Sequence, residues 1–234
     1  NIGTGPTQLS TWHDRVYFGS DPLNYGTGQY ITTIQHNGVL DVDSTYSLQA
    51  NVPIPQGIFG EYYVYVVSDF HNVVFENAAE SNNVGISDTL EVILTPPADL
   101  IAYDLLFPDT IHNNQISALN YTLVNDGGST ISNPSWYDQI YISQAPVYNS
   151  NFLYPIGSVS NYGPMMPGDP TIKSLAYTMP VWGSGLYYYY INLDQANQVF
   201  EYTFESNNTI RSAGTFLIVN PDMATTPPVH ASAA

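Results

Sequence analysis

An internal duplication is the feature of this sequence that most constrains its fold. The stretch FENAAESNNV at residues 75–84 returns as YTFESNNTI at residues 202–210. A repeat of this length predicts two copies of one structural unit in tandem. The offset between matched residues is 124 at the start and 125 later, and the pairs include Asn1/Asn125, Gly3/Gly127, Trp12/Trp136, Asp14/Asp138, Gly60/Gly185, Tyr62/Tyr187 and Tyr63/Tyr188.

Short alternating runs rich in Val, Ile, Tyr and Thr fill both copies. Pro and Gly, with 17 residues each, interrupt them every few positions. Such alternation is typical of β-strands, because successive side chains of a strand point to opposite faces. Strands are predicted at 14–20, 60–69, 138–144 and 185–194. Many short strands with regular turn signals predict an all-β chain built from β-sandwiches.

The sequence TPPADL at residues 95–100 is the predicted linker between the copies. Consecutive prolines end a strand, because proline has no N–H for a central ladder, and they extend the chain. We therefore expect a first domain at 1–95, a second at 96–219 and a Pro- and Ala-rich tail at 220–234. Two further strands, 99–107 and 115–126, are predicted to open the second domain.

The charge balance excludes two classes of partner. The chain has 20 acidic and 3 basic residues, a formal net charge of −17. Nucleic-acid binding and docking on anionic lipid both require basic side chains, so neither is expected. No run of 18 apolar residues is present, which argues against membrane insertion.

Three motifs occur in both copies: W-x-D-x-[VI]-Y-[FI]-[GS], then G-x-Y-Y, then D-x-x-N-x-V-F-E-x-x-x-E-S-N-N. Together they resemble the CARDB family of bacterial and archaeal cell-surface domains, over about 1–95 and 99–219. The resemblance implies two tandem immunoglobulin- or fibronectin-III-like β-sandwiches of about seven strands each. It also implies an extracellular location, an adhesive or spacer role and no catalysis.

Two acidic segments, residues 69–83 and 194–208, hold the candidate site. Each carries three carboxylates and several Asn side chains within two predicted turns, with Glu76 expected in a short strand between them. The site residues are Asp69, Asn72, Glu76, Glu80 and Asn82 in the first segment, and Asp194, Asn197, Glu201, Glu205 and Asn207 in the second.

These segments have two interpretations. Asn and Asp side chains cap turns by bonding main-chain amides, which would make the role structural. Alternatively they bind calcium, which takes six to eight oxygen ligands of this kind, although the spacing differs from the calcium loop D-x-[DN]-x-[DN]-G. In either case three close carboxylates should raise the pKa of at least one of them.

The aromatic residues give two further predictions. Trp12 and Trp136 should pack in the cores, with Asp14 and Asp138 hydrogen-bonded at the start of the same strands. In the run 187–190, four consecutive tyrosines, two should point inward and two outward. Outward tyrosines could stack on sugars, so surface glycans are a candidate partner and a carbohydrate-binding module is the alternative function.

No catalytic motif is present. The sequence has no HExxH, no GxSxG and no phosphate-binding glycine loop, and none of its five His recurs at the matched position of the other copy. The only carboxylate clusters are the two acidic segments, and a duplicated structural element explains them better than a duplicated active site. We therefore predict that the protein is not an enzyme.

The first copy has no counterpart of the two strands that precede Asn125 in the second. A sandwich without them would expose core side chains and strand edges. Either upstream residues of a longer chain complete it, or a neighbouring copy does so by strand addition, and a head-to-tail contact of that kind produces a filament. The prolines of the tail make it a poor donor strand. We expect a secreted structural or adhesive protein of a prokaryotic cell surface, in contact with neighbouring copies or adjacent domains.

Overall fold

The chain forms two compact units, Asn1–Thr95 and Pro96–Ala234, in a computed structural model that describes residues 1–220. Most of the predicted tail, residues 221–234, lies outside the described residues. Regular structure consists of strands joined by loops and short 3₁₀ turns, so the all-β prediction is confirmed. The four 3₁₀ turns span Tyr25–Thr27, Asn77–Ala79, Ser150–Phe152 and Tyr202–Asn207.

The first unit contains a single antiparallel sheet. Its strands lie in the order β2-β1-β3-β4, and β5 pairs with the other end of β3. They are β1 (Thr11–Gly19), β2 (Gln29–Asn37), β3 (Gly60–Val67), β4 (Val84–Ile86) and β5 (Leu90–Val92).

The second unit is a two-layer sandwich. One layer has the order β10-β9-β12-β14-β7 with β13 also on β12, and the other has the order β11-β8-β6. All pairs are antiparallel except β14 with β7. The strands are β6 (Leu100–Leu106), β7 (Thr110–His112), β8 (Ile116–Asn125), β9 (Trp136–Ser143), β10 (Tyr154–Asn161), β11 (Thr171–Thr178), β12 (Gly185–Asn192), β13 (Thr209–Arg211) and β14 (Phe216–Val219).

The alternation along β1 and β9 sets the inner face of each unit. Every second residue of each strand, beginning with the tryptophan, is buried. Trp12 is 4% exposed and Trp136 is 2% exposed, which confirms their predicted core positions. In the second unit these side chains belong to one continuous apolar cluster between the two sheets.

The inner face of the first unit is only partly covered. The irregular segment 38–59 lies against β1, where Val16 is 4% exposed, but Val66 of β3 is 40% exposed. Its counterpart in β12, Ile191, is fully buried by the facing sheet. A groove of about 620 Å³ runs between β1, β3 and the irregular segment. Residues 1–95 thus provide one layer of a sandwich, and we call its inner surface the open face.

Candidate functional site

A buried aspartate joins each acidic segment to its sheet. Asp14 accepts the main-chain N–H of Asp69 (3.0 Å), and Asp138 accepts that of Asp194 (3.1 Å). Both aspartates are almost fully buried. This is the hydrogen-bonding role that the sequence predicts for them, and it fixes the point where each acidic segment leaves its strand.

A tyrosine hydroxyl donates a hydrogen bond to each aspartate, but the two tyrosines lie in different elements of their units. Tyr121 of β8 donates to Asp138 (2.6 Å), whereas Tyr46 of the irregular segment donates to Asp14 (2.6 Å). Burial, followed by the hydrogen bond to Asp14, raises the pKa of Tyr46 to about 12. Burial also raises the pKa of Asp138, against the lowering effect of its hydrogen bonds. The first unit thus replaces a contact of the absent strand with one of its own.

The first acidic segment consists of two capped turns. Asp69 has a positive φ of 42° and its carboxylate accepts the main-chain N–H groups of Val73 (3.1 Å) and Val74 (2.7 Å). Glu80 accepts the N–H of Glu76 (2.9 Å). Carboxylates used in this way hold the turns in place, as in the structural interpretation.

The second acidic segment repeats these contacts. Asp194 has a φ of 41° and accepts the N–H of Val199 (2.6 Å), and Glu205 accepts the N–H of Glu201 (2.9 Å). Asn197, with its amide nitrogen turned toward Glu205, donates to that carboxylate at 2.5 Å. Two bonds are shared by the two segments: the aspartate accepts the N–H five residues later, and the second glutamate accepts the N–H of the first.

Glu201 is the member of the site that contacts the rest of its unit. Its carboxylate accepts the main-chain N–H of Leu100, at the start of β6, and the amide of Asn208 (2.6 Å). Burial raises the pKa of Glu201 to about 7, although both hydrogen bonds lower it. The sequence predicts a raised pKa from neighbouring carboxylates, whereas burial is the largest cause here and the charges of Glu205 and Asp194 contribute less.

Glu76 has the same place before a 3₁₀ turn as its counterpart Glu201, but it differs in its partners. It precedes a 3₁₀ turn and does not lie in the short strand that the sequence predicts. One buried oxygen of its carboxylate, Oε2, has no hydrogen-bond donor among residues 1–220. In the second unit the matching oxygen of Glu201 accepts from Asn208 (2.6 Å), whereas the amide nitrogen of its counterpart Asn83 is also buried without a partner among residues 1–220.

The structure does not settle the calcium interpretation. Asn207 donates to Asp99 (2.9 Å), while its counterpart Asn82 is exposed. Within residues 1–220, no three acidic or histidine side chains are close enough to hold a metal ion. Since several carboxylate oxygens already accept main-chain N–H groups, calcium binding stays a prediction.

Sequence analysis missed an asparagine that organises the start of each unit. Asn125 accepts the N–H groups of Asp99 and Gly127 (both 3.1 Å). Asn1 accepts the N–H of Gly3 (3.0 Å), and its amide donates to two main-chain carbonyls, as that of Asn125 does. The signal was present, because Asn1 and Asn125 are matched in the repeat, but their partners lie far along the chain.

The tyrosine run does not form the expected exposed platform. Tyr187 and Tyr189 point into the core, as predicted for two of the four. Tyr190, expected to be outward and accessible, is only 1% exposed, and Arg211 lies over the ring of Tyr188 at 4.7 Å from its centroid. Loops beside the sheet bury this outer face, so these residues offer no flat surface to a sugar.

The raised pKa of Glu201 predicts a pH dependence. Between its unfolded value near 4.5 and about 7, the folded unit binds the proton more tightly, so this contribution to stability is complete below 4.5 and is lost as the pH rises through 7. We expect the free energy of unfolding to fall by about 1–2 kcal/mol more between pH 5 and 7.5 in the wild type than in Glu201→Gln. Chemical denaturation at pH 5 and at pH 7.5 measures the free energy of unfolding of both proteins. An equal change with pH in the wild type and in Glu201→Gln would contradict the prediction.

The fold defines the class of this protein as all-β, with a sandwich in its second unit. No family model matches the sequence, and no curated protein matches it. No helix within residues 1–220 is long and apolar enough to cross a membrane.

Among solved structures, the chain is similar to the CARDB domain of the PF1109 protein from Pyrococcus furiosus in complex with di-metal ions, with 20% identity, a TM-score of 0.40 and coverage of 55% of this chain and 100% of that one. The solution structure of the same domain has 19% identity and a TM-score of 0.38, and the match covers 53% of this chain and 98% of that one. A β-glucosidase from Listeria innocua is similar at 10% identity and a TM-score of 0.33, over 54% of this chain and 16% of that one. The first two matches each cover about half of this chain, and they do not confirm two copies.

Proposed function

We propose that this protein is a structural component of a prokaryotic cell surface, secreted and without enzymatic activity, whose copies join end to end into a filament. In this proposal a β-strand from outside residues 1–95 covers the open face of the first unit. The observation that supports the proposal is that the first unit has a single sheet, whereas the second unit has the two sheets of a sandwich.

The energetics of the open face support the proposal. Val64 and Val66 are partly exposed, while their counterparts Tyr189 and Ile191 are fully buried. Burying a side chain of this size contributes about 1.5–3 kcal/mol. Added strands can also pair their main-chain groups with the sheet, which is the usual chemistry of strand addition. A partner for this face would therefore be stabilised both by burial of apolar side chains and by main-chain hydrogen bonds.

The test compares two lysine substitutions in sedimentation velocity across a range of concentrations. We expect the wild type to form multimers as concentration rises, and Val66→Lys, on the open face, to remain monomeric. Ile86→Lys is the matched control: its side chain is similarly exposed (48%), but it pairs with Tyr65 and so points to the other face of the sheet. It should assemble like the wild type.

Wild-type chains that stay monomeric at every concentration would contradict the filament proposal. Multimers that tolerate Val66→Lys would show that assembly does not use the open face. Electron microscopy of the multimers then distinguishes filaments from closed oligomers.

A further inference from the structure

The second unit shows how an extended segment docks at the start of a unit. Pro97–Leu100, which we call the entry segment, lies against the loop that follows β8. The carbonyl of Pro97 accepts the N–H of Gly128 (2.9 Å), and Asp99 both donates to Asn125 (3.1 Å) and accepts from Asp126 (2.7 Å). Leu100 then donates to Glu201 and is completely buried.

The groups that receive this segment are present in the first unit as well. Asn1 is held by the same internal hydrogen bonds as Asn125, which leaves its side-chain oxygen in the orientation that accepts Asp99. Glu76 occupies the position of Glu201, whose Oε1 accepts the N–H of Leu100 and whose Oε2 accepts from Asn208. The carboxylate of Glu76 accepts no hydrogen bond among residues 1–220, and its Oε2 is buried. Acceptors for two successive main-chain N–H groups are therefore in place.

A glycine provides an independent argument. A Cβ on Gly127 would lie 2.5 Å from main-chain atoms of the entry segment, at Pro97, Ala98 and Asp99, so only glycine allows the segment to approach. The first unit has Gly3 at the matched position. Among residues 1–220, a Cβ on Gly3 would meet the Asn1 side-chain oxygen, at 3.1 Å, and nothing else within 4 Å. The space that a docked segment requires is preserved around Gly3.

The sequence of the entry segment recurs once in the chain. TPPAD at 95–99 returns as TPPVH at 226–230, in the tail beyond the described residues. Prolines suit this site, because the entry segment uses the carbonyls of its prolines and needs no N–H from them. The expectation that prolines disqualify the tail applies to a central strand, whereas this segment precedes the strand.

We propose that the tail residues Pro228–Ala231 of one copy dock on Asn1, Gly3 and Glu76 of the next copy. Within the chain, the entry segment follows the last strand of one unit and binds the unit after it. The tail follows β14, the last strand of the second unit, and in this proposal it binds the first unit of another copy in the same order. This contact joins different surfaces and does not close on itself, which produces a filament. The inference rests on the proposed function and adds a contact at the start of the first unit, next to the open face that the added strand covers.

The proposed contact differs from that of the entry segment at four positions: Val229 replaces Ala98, His230 replaces Asp99, Ala231 replaces Leu100, and Thr4 of the receiving unit replaces Gly128. Thr4 replaces Gly128, where a Cβ would lie 2.6 Å from Pro96, so the docked part begins at the second proline of the tail. His230 replaces Asp99, whose carboxylate accepts from Asn207. A neutral imidazole can accept the same bond from Asn82, and a protonated one is attracted by the acidic segment.

The experiment compares Gly3→Ala with Gly5→Ala in the full-length chain by sedimentation velocity. A Cβ at Gly5 meets nothing within 4 Å, so this variant is the matched control. We expect Gly3→Ala to weaken association at least tenfold, and Gly5→Ala to leave it unchanged, with equal unfolding temperatures for both. A synthetic peptide of residues 225–234, in excess, should dissociate wild-type multimers, and a scrambled peptide should not.

A mixing experiment gives a second, independent outcome. Chains that lack 225–234 keep the docking position, and Gly3→Ala chains keep the tail. Their mixture should form dimers and nothing larger, while each alone remains monomeric. Multimers that resist both Gly3→Ala and the peptide would overturn tail docking and leave the filament proposal standing. Wild-type chains that are monomeric at every concentration would overturn both, including the case in which the tail folds back on its own chain.

Discussion

In hydrogen exchange under native conditions, the main-chain amides of β3 exchange on the order of a hundredfold faster than those of β12 when the chain is monomeric. The two strands are counterparts in the repeat, and both lie in the interior of their sheets. β12 is covered by a second sheet, whereas β3 has Val66 40% exposed on the open face. Two or three side chains left partly uncovered lower the local free energy of opening by about 3 kcal/mol, which corresponds to roughly a hundredfold difference in exchange rate.

The matched strands serve as each other's control, because their sequence pattern, pairing and length are alike. Mass spectrometry of peptic fragments measures both in one sample. Raising the concentration should slow exchange in β3 and leave β12 unchanged, since assembly covers only the open face. Equal protection in the monomer would show that the irregular segment 38–59 is a sufficient second layer, and the reason for strand addition would be lost.

Much of the fold was predictable because it depends on local pattern. Alternation placed β1, β3, β9 and β12 within a few residues of their observed bounds, and the buried positions of Trp12 and Trp136 follow from the same alternation. The short parallel strand β7 was not predicted. Its three residues carry too little pattern, and its pairing with β14 joins distant parts of the unit.

The candidate site was predictable in membership but not in partners. The repeated spacing brought the carboxylates together and indicated turn capping, which the bonds of Asp69 and Asp194 show. The donor to Glu201 lies 101 residues earlier in the chain, and no local pattern identifies such a contact. Tyr46 was also missed, because it takes the role of Tyr121 from a different part of its unit, and the repeat does not match the two residues.

Replacing Asp138 with alanine should lower the free energy of unfolding of the second unit by about 3–5 kcal/mol. The substitution leaves the hydroxyl of Tyr121 and the N–H of Asp194 buried without an acceptor, and each orphaned group costs about 1–3 kcal/mol. Asp138→Asn keeps one acceptor oxygen and should cost less. Thermal and denaturant unfolding of the full chain measure the loss, and Asp169→Ala, which removes an exposed carboxylate of the same unit, should stay within about 0.5 kcal/mol of the wild type.

Asp14→Ala distinguishes the two units further. It removes the same two bonds from the first unit, but Tyr46 lies on an irregular segment and can turn to water more easily than Tyr121 in β8. In the monomer we therefore expect Asp14→Ala to lower the free energy of unfolding by less than Asp138→Ala does. Once assembly has fixed the irregular segment, the two substitutions should have more similar effects. A change below 1 kcal/mol for Asp138→Ala would mean that the buried aspartate does not hold the acidic segment to its sheet, and that the turns of the segment are stable by themselves.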